Sequence, residues 1–354
     1  MNSGRLPLEN SSRDGEYCRN QVRSIGILMV LGLILVTAVL LSLWAGSYET
    51  PINELLRGVA GKASNPKINV VVRNVRLPRI CTAVVAGAGL GVVGCVLQAI
   101  LDNPLASAST LGVSQGASFG AAFAIIGLNA GASHCGGILI SMAAFAGSMG
   151  VAFVILGLSR LSQISPESIV LAGVAISSMF TGATTLLQYF ADEVELTTLT
   201  FWTFGDLGST RYGQIGFMFL VVLFTSIYFI FRRWDFNALL AGTETAASLG
   251  IHVRRLILAN MVLCCLAAST IVSYVGLINF IGLVAPHIVR RLVGNNHIYL
   301  IPGAILAGAS LLLLGDLLAR TIVSPVILPI GAITSFLGAP LFLYLLFKRR
   351  KSVC

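Results

Sequence analysis

Between Asn103 and Ser159 the chain runs for 57 residues without a single Asp, Glu, Lys or Arg. A soluble domain cannot accommodate such a stretch, because a segment of that length must surface several times and a water-facing surface is largely built of charged side chains. The bias is general, since 56% of the residues are hydrophobic and 10% are charged. Lipid is therefore the solvent for most of the chain. In lipid every backbone polar group must be satisfied within the structure, which leaves helices or closed barrels. Apolar runs of about 20 residues, the length a spanning helix needs, select helices.

Hydropathy places ten spans, near 25–44, 79–101, 109–128, 136–158, 168–190, 212–231, 256–275, 278–290, 300–318 and 331–347. These predict an all-α polytopic membrane protein with a polar, flexible tail over 1–24, one ten-span domain over 25–347 and a basic tail over 348–354. The run from Ile25 to Leu43 is longer than a signal-peptide core and lacks a small-residue cleavage site, so it is expected to remain as the first span. Ten spans put both termini on one side. With that side cytoplasmic, 15 of the 23 Lys and Arg fall inside, in accord with the positive-inside rule. Membrane topology thus accounts for the net charge of +9 without nucleic acid. Six of the remaining cations, Arg57, Lys62, Lys67, Arg73, Arg76 and Arg79, crowd one outer segment. They read either as lipid headgroup contacts or as a docking surface for an acidic partner.

Absent motifs narrow the chemistry. There is no phosphate-cradling G-x-x-x-x-G-K-[ST], since Gly61-Lys62 is followed by Ala63, and no His/Cys cluster with metal-ligand spacing. The seven cysteines show no paired spacing and are expected to be mostly small buried hydrophobes. No span carries a carboxylate suited to proton or ion coupling. Asp316 comes nearest, and Arg320 stands one turn away to pair with it. Gly87, Gly91 and Gly94, and Gly112, Gly116 and Gly120, recur at helical spacing, as close helix packing in lipid requires. Gly282, Pro286, Pro302, Pro325, Pro329 and Pro340 predict short or broken helices in the last third. The loop at about 235–255 predicts a short inner helix capped by Thr243 and stopped at Gly250, suited either to a groove on a soluble partner or to the lipid surface.

Six motifs then stand in order along the chain: R-L-P-R (76–79), Q-A-I-L-D-N-P-L-A (98–106), L-G-V-S-Q-G-A (111–117), L-A-G-V-A (171–175), F-I-G-L-V-A-P-H-I-V-R (280–290) and L-G-A-P-L-F (337–342). Together they resemble the FecCD family, the permease subunits of type II ABC importers for ferric siderophores, haem and cobalamin. The resemblance covers about residues 25–350 and rests on Asn103, Pro104, Leu105, Pro286 and His287 among others. Asp102 departs from it, where many members carry Arg or another polar residue.

The resemblance implies a dimer of permease subunits, expected here to be a homodimer in the bacterial inner (cytoplasmic) membrane. It also implies two cytoplasmic ATPase subunits that bind ATP and Mg, with no cofactor or enzymatic activity in this chain. A periplasmic or lipid-anchored binding protein completes the assembly. The family's docking arginines match Arg76, Arg79 and Arg320, expected as exposed rim charges. Its coupling helix matches Gly242, Thr243, Glu244, Ala247, Leu249 and Gly250, and its cytoplasmic gate matches by position Ser162, Gln163 and Ser165. The expected cargo is an iron chelate, ferric siderophore or haem. Cobalamin carried by the same architecture is the alternative, and an ion-coupled secondary transporter is the remote one.

Overall fold

The computed structural model describes residues 8–45, 51–132, 135–161 and 166–347, and no strand occurs among them. Helix α1 (Leu8–Trp44) leads to two short helices, α2 (Ile52–Val59) and α3 (Pro66–Val71). A π turn, Val72–Arg76, carries α3 on into α4 (Leu77–Ile100). Then come α5 (Val113–Ala122), α6 (Gly136–Leu161), α7 (Pro166–Phe190), α8 (Glu193–Phe204) and α9 (Tyr212–Phe231). The short α10 (Arg233–Leu239) and α11 (Thr243–Ser248) precede α12 (Val253–Val275), α13 (Ile281–Val293), α14 (His297–Thr321) and α15 (Ile330–Phe347).

Seven of these are long and apolar enough to cross a bilayer, α5 with its π extension and α15 are shorter apolar helices, and the short α13 stands at the remaining predicted position. Together they occupy the ten predicted positions. Most boundaries shift by a few residues, and three of the differences have a visible local cause. The polar segment read as a flexible tail is helical from Leu8, because hydropathy cannot register a helix that continues beyond the lipid. The third span starts at Val113, after an irregular stretch ended by Gly112 at φ +82°, and the eighth starts at Ile281 behind Phe280 at φ +66°. Helix α8 was also missed, although Asp192 and Glu195 form a reciprocal capping box that the D-x-x-E spacing announces.

Helix α4 is the hub. Of its spanning window 78% is buried, against 17% for α1, which lies at the lipid-facing edge along α14. The predicted glycine seam explains how α4 is enclosed. Gly87 and Gly91 meet the backbone of Gly308 and Ala304 on α14, and Gly94 meets Gly282 on α13. A Cβ on Gly94 would stand 1.6 Å from the Gly282 carbonyl oxygen, so only glycine permits this approach. Gly116 and Gly120 pack likewise against Gly147 and Ala143 of α6, whereas Gly112 serves as the N-cap of α5 and lies outside the helix. Cys95, Cys264 and Cys265 are buried as expected; Cys135 is exposed.

Candidate functional site

At the membrane edge where α14 ends, Asp316 is fully buried and accepts two guanidinium hydrogen bonds. Arg79 Nε donates to its Oδ1 at 2.7 Å and Arg320 Nε to its Oδ2 at 2.9 Å. The half-exposed Asp206 stands 3.6 Å from Arg79 Nη1. Arg320 also donates to Ser42 Oγ at 2.5 Å and to Ala45 O at 3.3 Å, and Arg76 donates to Leu43 O at 2.7 Å. The arginines thereby occupy carbonyls at the end of α1 that have no partner within the helix, where the helix dipole favours cations.

The expected Asp316–Arg320 pair is present, but the expected exposure of the arginines is not. Arg76 is 4% exposed, Arg79 is 7% exposed, and the Arg320 side chain is equally enclosed. Burial is tolerable because each charge meets a carboxylate or a carbonyl. Arg57, Lys62, Lys67 and Arg73 are the exposed cations of the same segment. Their loop is pinned by Glu54, which accepts from Ser64 N at 2.7 Å and Ser64 Oγ at 3.0 Å. These bonds, the backbone one foremost, hold the Glu54 carboxyl below its ordinary range.

The opposite edge carries α10 and α11. Phe236 of α10 is wholly buried, with ring centroids 6.5 Å from Phe229 and 5.7 Å from His297. Asn237 beside it accepts from His297 N at 2.8 Å and donates to Asn296 Oδ1 at 2.9 Å, while Asn296 caps α14 through Ile298 N. Sequence reading singled out none of these three. Only the Asn296 N-cap had a visible signal. The predicted helix of the loop is α11, with Gly242, Thr243, Glu244, Ala247, Leu249 and Gly250 all exposed and Ala246 buried. Thr243 does not cap it. Gly242, at φ +103°, is the N-cap, and having no side chain it leaves the cap without a side-chain bond. Gly250, at φ +84°, ends the helix as expected.

The motif residues meet near the C-terminal end of α4. Asn103 Oδ1 accepts from Leu105 N at 2.8 Å, and His287 Nε2 donates to Pro104 O at 2.8 Å. The His287 ring lies 5.5 Å from that of Phe342, so three of the six motifs converge on one point. Asp102 takes φ +41° at the turn that starts this loop. Ser162, Gln163 and Ser165 lie outside the described residues. A feature without prior signal is an exposed stripe on α7, where Ser178, Thr181, Gly182 and Thr185 share one face. The three hydroxyls donate to the carbonyls four residues earlier, at 3.1, 2.8 and 3.0 Å, which lets them face outward without an unpaired donor.

Comparison with known proteins follows the same lines. The model of the FecCD transport family matches residues 34–348. A Methanocaldococcus jannaschii protein named as an ABC transporter permease is 45% identical over 92% of this chain and 96% of its own. The hemin transport system permease of Yersinia pestis is 34% identical over 91% of this chain and 96% of its own. Among solved structures, an inward-facing one assigned to the metal-chelate type of ABC transporter superposes with a TM-score of 0.81. It shares 32% identity and covers 91% of this chain and 99% of that one.

Proposed function

The chain belongs to the FecCD transport family, and on that premise we propose that it is the permease through which an ATP-driven importer passes an iron chelate, ferric siderophore or haem, into the cytoplasm. The observation that carries the reading is the union of α10 with the start of α14. An exposed helix, α11, is joined by the short turn over 240–242 to one whose Phe236 and Asn237 grip the first turn of a spanning helix. A force on α11 is delivered to α14, and α14 packs along α4 through backbone contacts that leave no slack.

In this reading two ATPase subunits hold ATP and Mg outside this chain and seat Gly242, Thr243, Glu244, Ala247, Leu249 and Gly250. Nucleotide shifts the conformational balance by binding the closed ATPase pair more tightly than the open one. Both termini lie in the cytoplasm. A second copy of the chain faces the α7 stripe, and the hydroxyls of Ser178, Thr181 and Thr185 line a weakly polar path between them. Such a lining passes a chelate without holding it. A substrate-binding protein docks on the outer edge, where Arg76, Arg79 and Arg320 form the floor and Arg57, Lys62, Lys67 and Arg73 the exposed rim. Three guanidiniums there face the two carboxylates of Asp206 and Asp316, which leaves a positive surplus for acidic side chains.

Uptake in proteoliposomes containing the chain with its ATPase and binding protein tests the reading, with ferric siderophore, haem and cobalamin each offered. ATP-dependent accumulation of an iron chelate is the expected result. Accumulation of cobalamin alone moves the cargo, and uptake driven by a proton or sodium gradient without ATP overturns the class. A second experiment addresses the coupling surface. Leu249 is 67% exposed, so Leu249→Asp should leave the fold intact while weakening ATPase attachment about thirtyfold, the effect of losing an apolar anchor worth ~2 kcal/mol. Co-purification at unchanged stoichiometry would place the coupling surface elsewhere.

A further inference from the structure

A cavity of about 260 Å³ opens where α1 enters the membrane beside the turn from α13 into α14. Its polar lining comes from Asn20, Gln21, Arg23 and Ser24 on α1 and from Asn296 and Tyr299 at the start of α14. Among its described lining residues none is acidic. Arg23 supplies a full positive charge. The Oδ1 of Asn296 is already taken by Ile298 N and Asn237 Nδ2, so its own Nδ2 is the group left to donate into the cavity. Tyr299 offers a hydroxyl. An Arg with surrounding amide and hydroxyl donors, and no carboxylate among the described lining residues, is a receptor for an anion, and a phosphate suits the forked guanidinium best.

The depth of the cavity identifies the carrier of that phosphate. The span that begins at Arg19 ends at Trp44, an exposed aromatic of the kind that settles at the membrane interface. Counting back about 20 residues at 1.5 Å each from Trp44 crosses the hydrocarbon and arrives near Ser24, which sets Asn20 to Ser24 at the level of the opposite headgroups. Below the cavity, Ile25 and Met29 of α1 are exposed, and Leu292 at its rim is exposed as well. A phosphate in the cavity therefore has apolar surface directly beneath it for acyl chains. Basic pockets between spanning helices at a membrane edge bind anionic lipid headgroups by these same contacts. We infer that the cavity is a binding site for one anionic phospholipid, its phosphate on Arg23 and its chains along α1.

Native mass spectrometry of the full chain in neutral detergent tests this, with phosphatidylglycerol, phosphatidylcholine and soluble glycerol phosphate offered separately. The expected result is one retained phosphatidylglycerol per chain, with phosphatidylcholine lost and glycerol phosphate not retained. Arg23→Gln should weaken retention about fivefold, the share of one basic side chain at a membrane surface, while Arg211→Gln should not. Asn20→Asp, which puts a carboxylate into the lining without removing the arginine, should weaken it as well and serves if Arg23→Gln folds poorly. Equal retention of the two lipids, or retention unchanged in both cavity variants, overturns the proposal. Retention of glycerol phosphate as strong as that of the lipid overturns the lipid as the source.

Discussion

Asp316→Asn is expected to destabilise the folded chain by about 3–5 kcal/mol, read from chemical unfolding of the protein in detergent. The carboxylate is fully buried and holds Arg79 and Arg320 at 2.7 and 2.9 Å, so its neutralisation leaves two largely buried guanidiniums undercompensated, Arg79 with only the more distant Asp206 and Arg320 with only the neutral oxygens of Ser42 and Ala45. Neutral amide donors and acceptors cannot replace a shared negative charge. The double variant Asp316→Asn with Arg79→Gln removes one stranded charge together with the carboxylate and should recover part of the loss. If Asp316→Asn costs less than about 1 kcal/mol, the value of an exposed pair, the cluster is solvated and its arginines are available at the surface after all.

The second large effect concerns packing. Gly94→Ala places a methyl group 1.6 Å from the Gly282 carbonyl oxygen and 2.5 Å from its carbon, both backbone atoms of a neighbouring helix. No side chain can rotate away, so α4 and α13 must separate along their contact. A cost of about 3 kcal/mol, the upper range for overpacking, is expected in the same unfolding assay. Gly216→Ala is the matched control. A Cβ there meets nothing within 4 Å, and the helix preference of alanine should make that variant neutral or slightly more stable. Equal behaviour of the two variants would mean that the α4–α13 contact is looser than its geometry states.

These two sites mark where the sequence could be read and where it could not. Ten spans were legible because lipid imposes a length and an apolar composition that hydropathy detects directly. The Asp316–Arg320 pair was legible because four residues make one helical turn, and the α4 glycines because their spacing repeats on one face. The partner that completes the cluster was not. Arg79 precedes Asp316 by 237 positions, and only the fold brings them together. For the same reason the arginines were read as exposed, since a loop full of cations gives no sign of which ones a buried carboxylate and the end of α1 will claim. Asn237 and Phe236 escaped notice because an asparagine and a phenylalanine near a membrane edge are unremarkable until Asn296 and His297 are placed against them. The α7 stripe was missed because serine and threonine barely lower the hydropathy of a span.

The tie between the arginines and the end of α1 has a consequence for anything that binds there. The guanidiniums of Arg76 and Arg320 that donate to the carbonyls of Leu43 and Ala45 are the charges that an arriving carboxylate would seek. An acid docking there and the end of α1 would thus compete for the same guanidiniums. Linkage makes the competition symmetrical. Whatever factor an acidic partner gains by drawing a guanidinium away, the order of that helix end loses, and a change that fastens the end of α1 more firmly must loosen the partner by the same factor. If an acidic partner docks at this edge, the most peripheral span of the molecule takes part in its recognition without contributing a side chain to the contact.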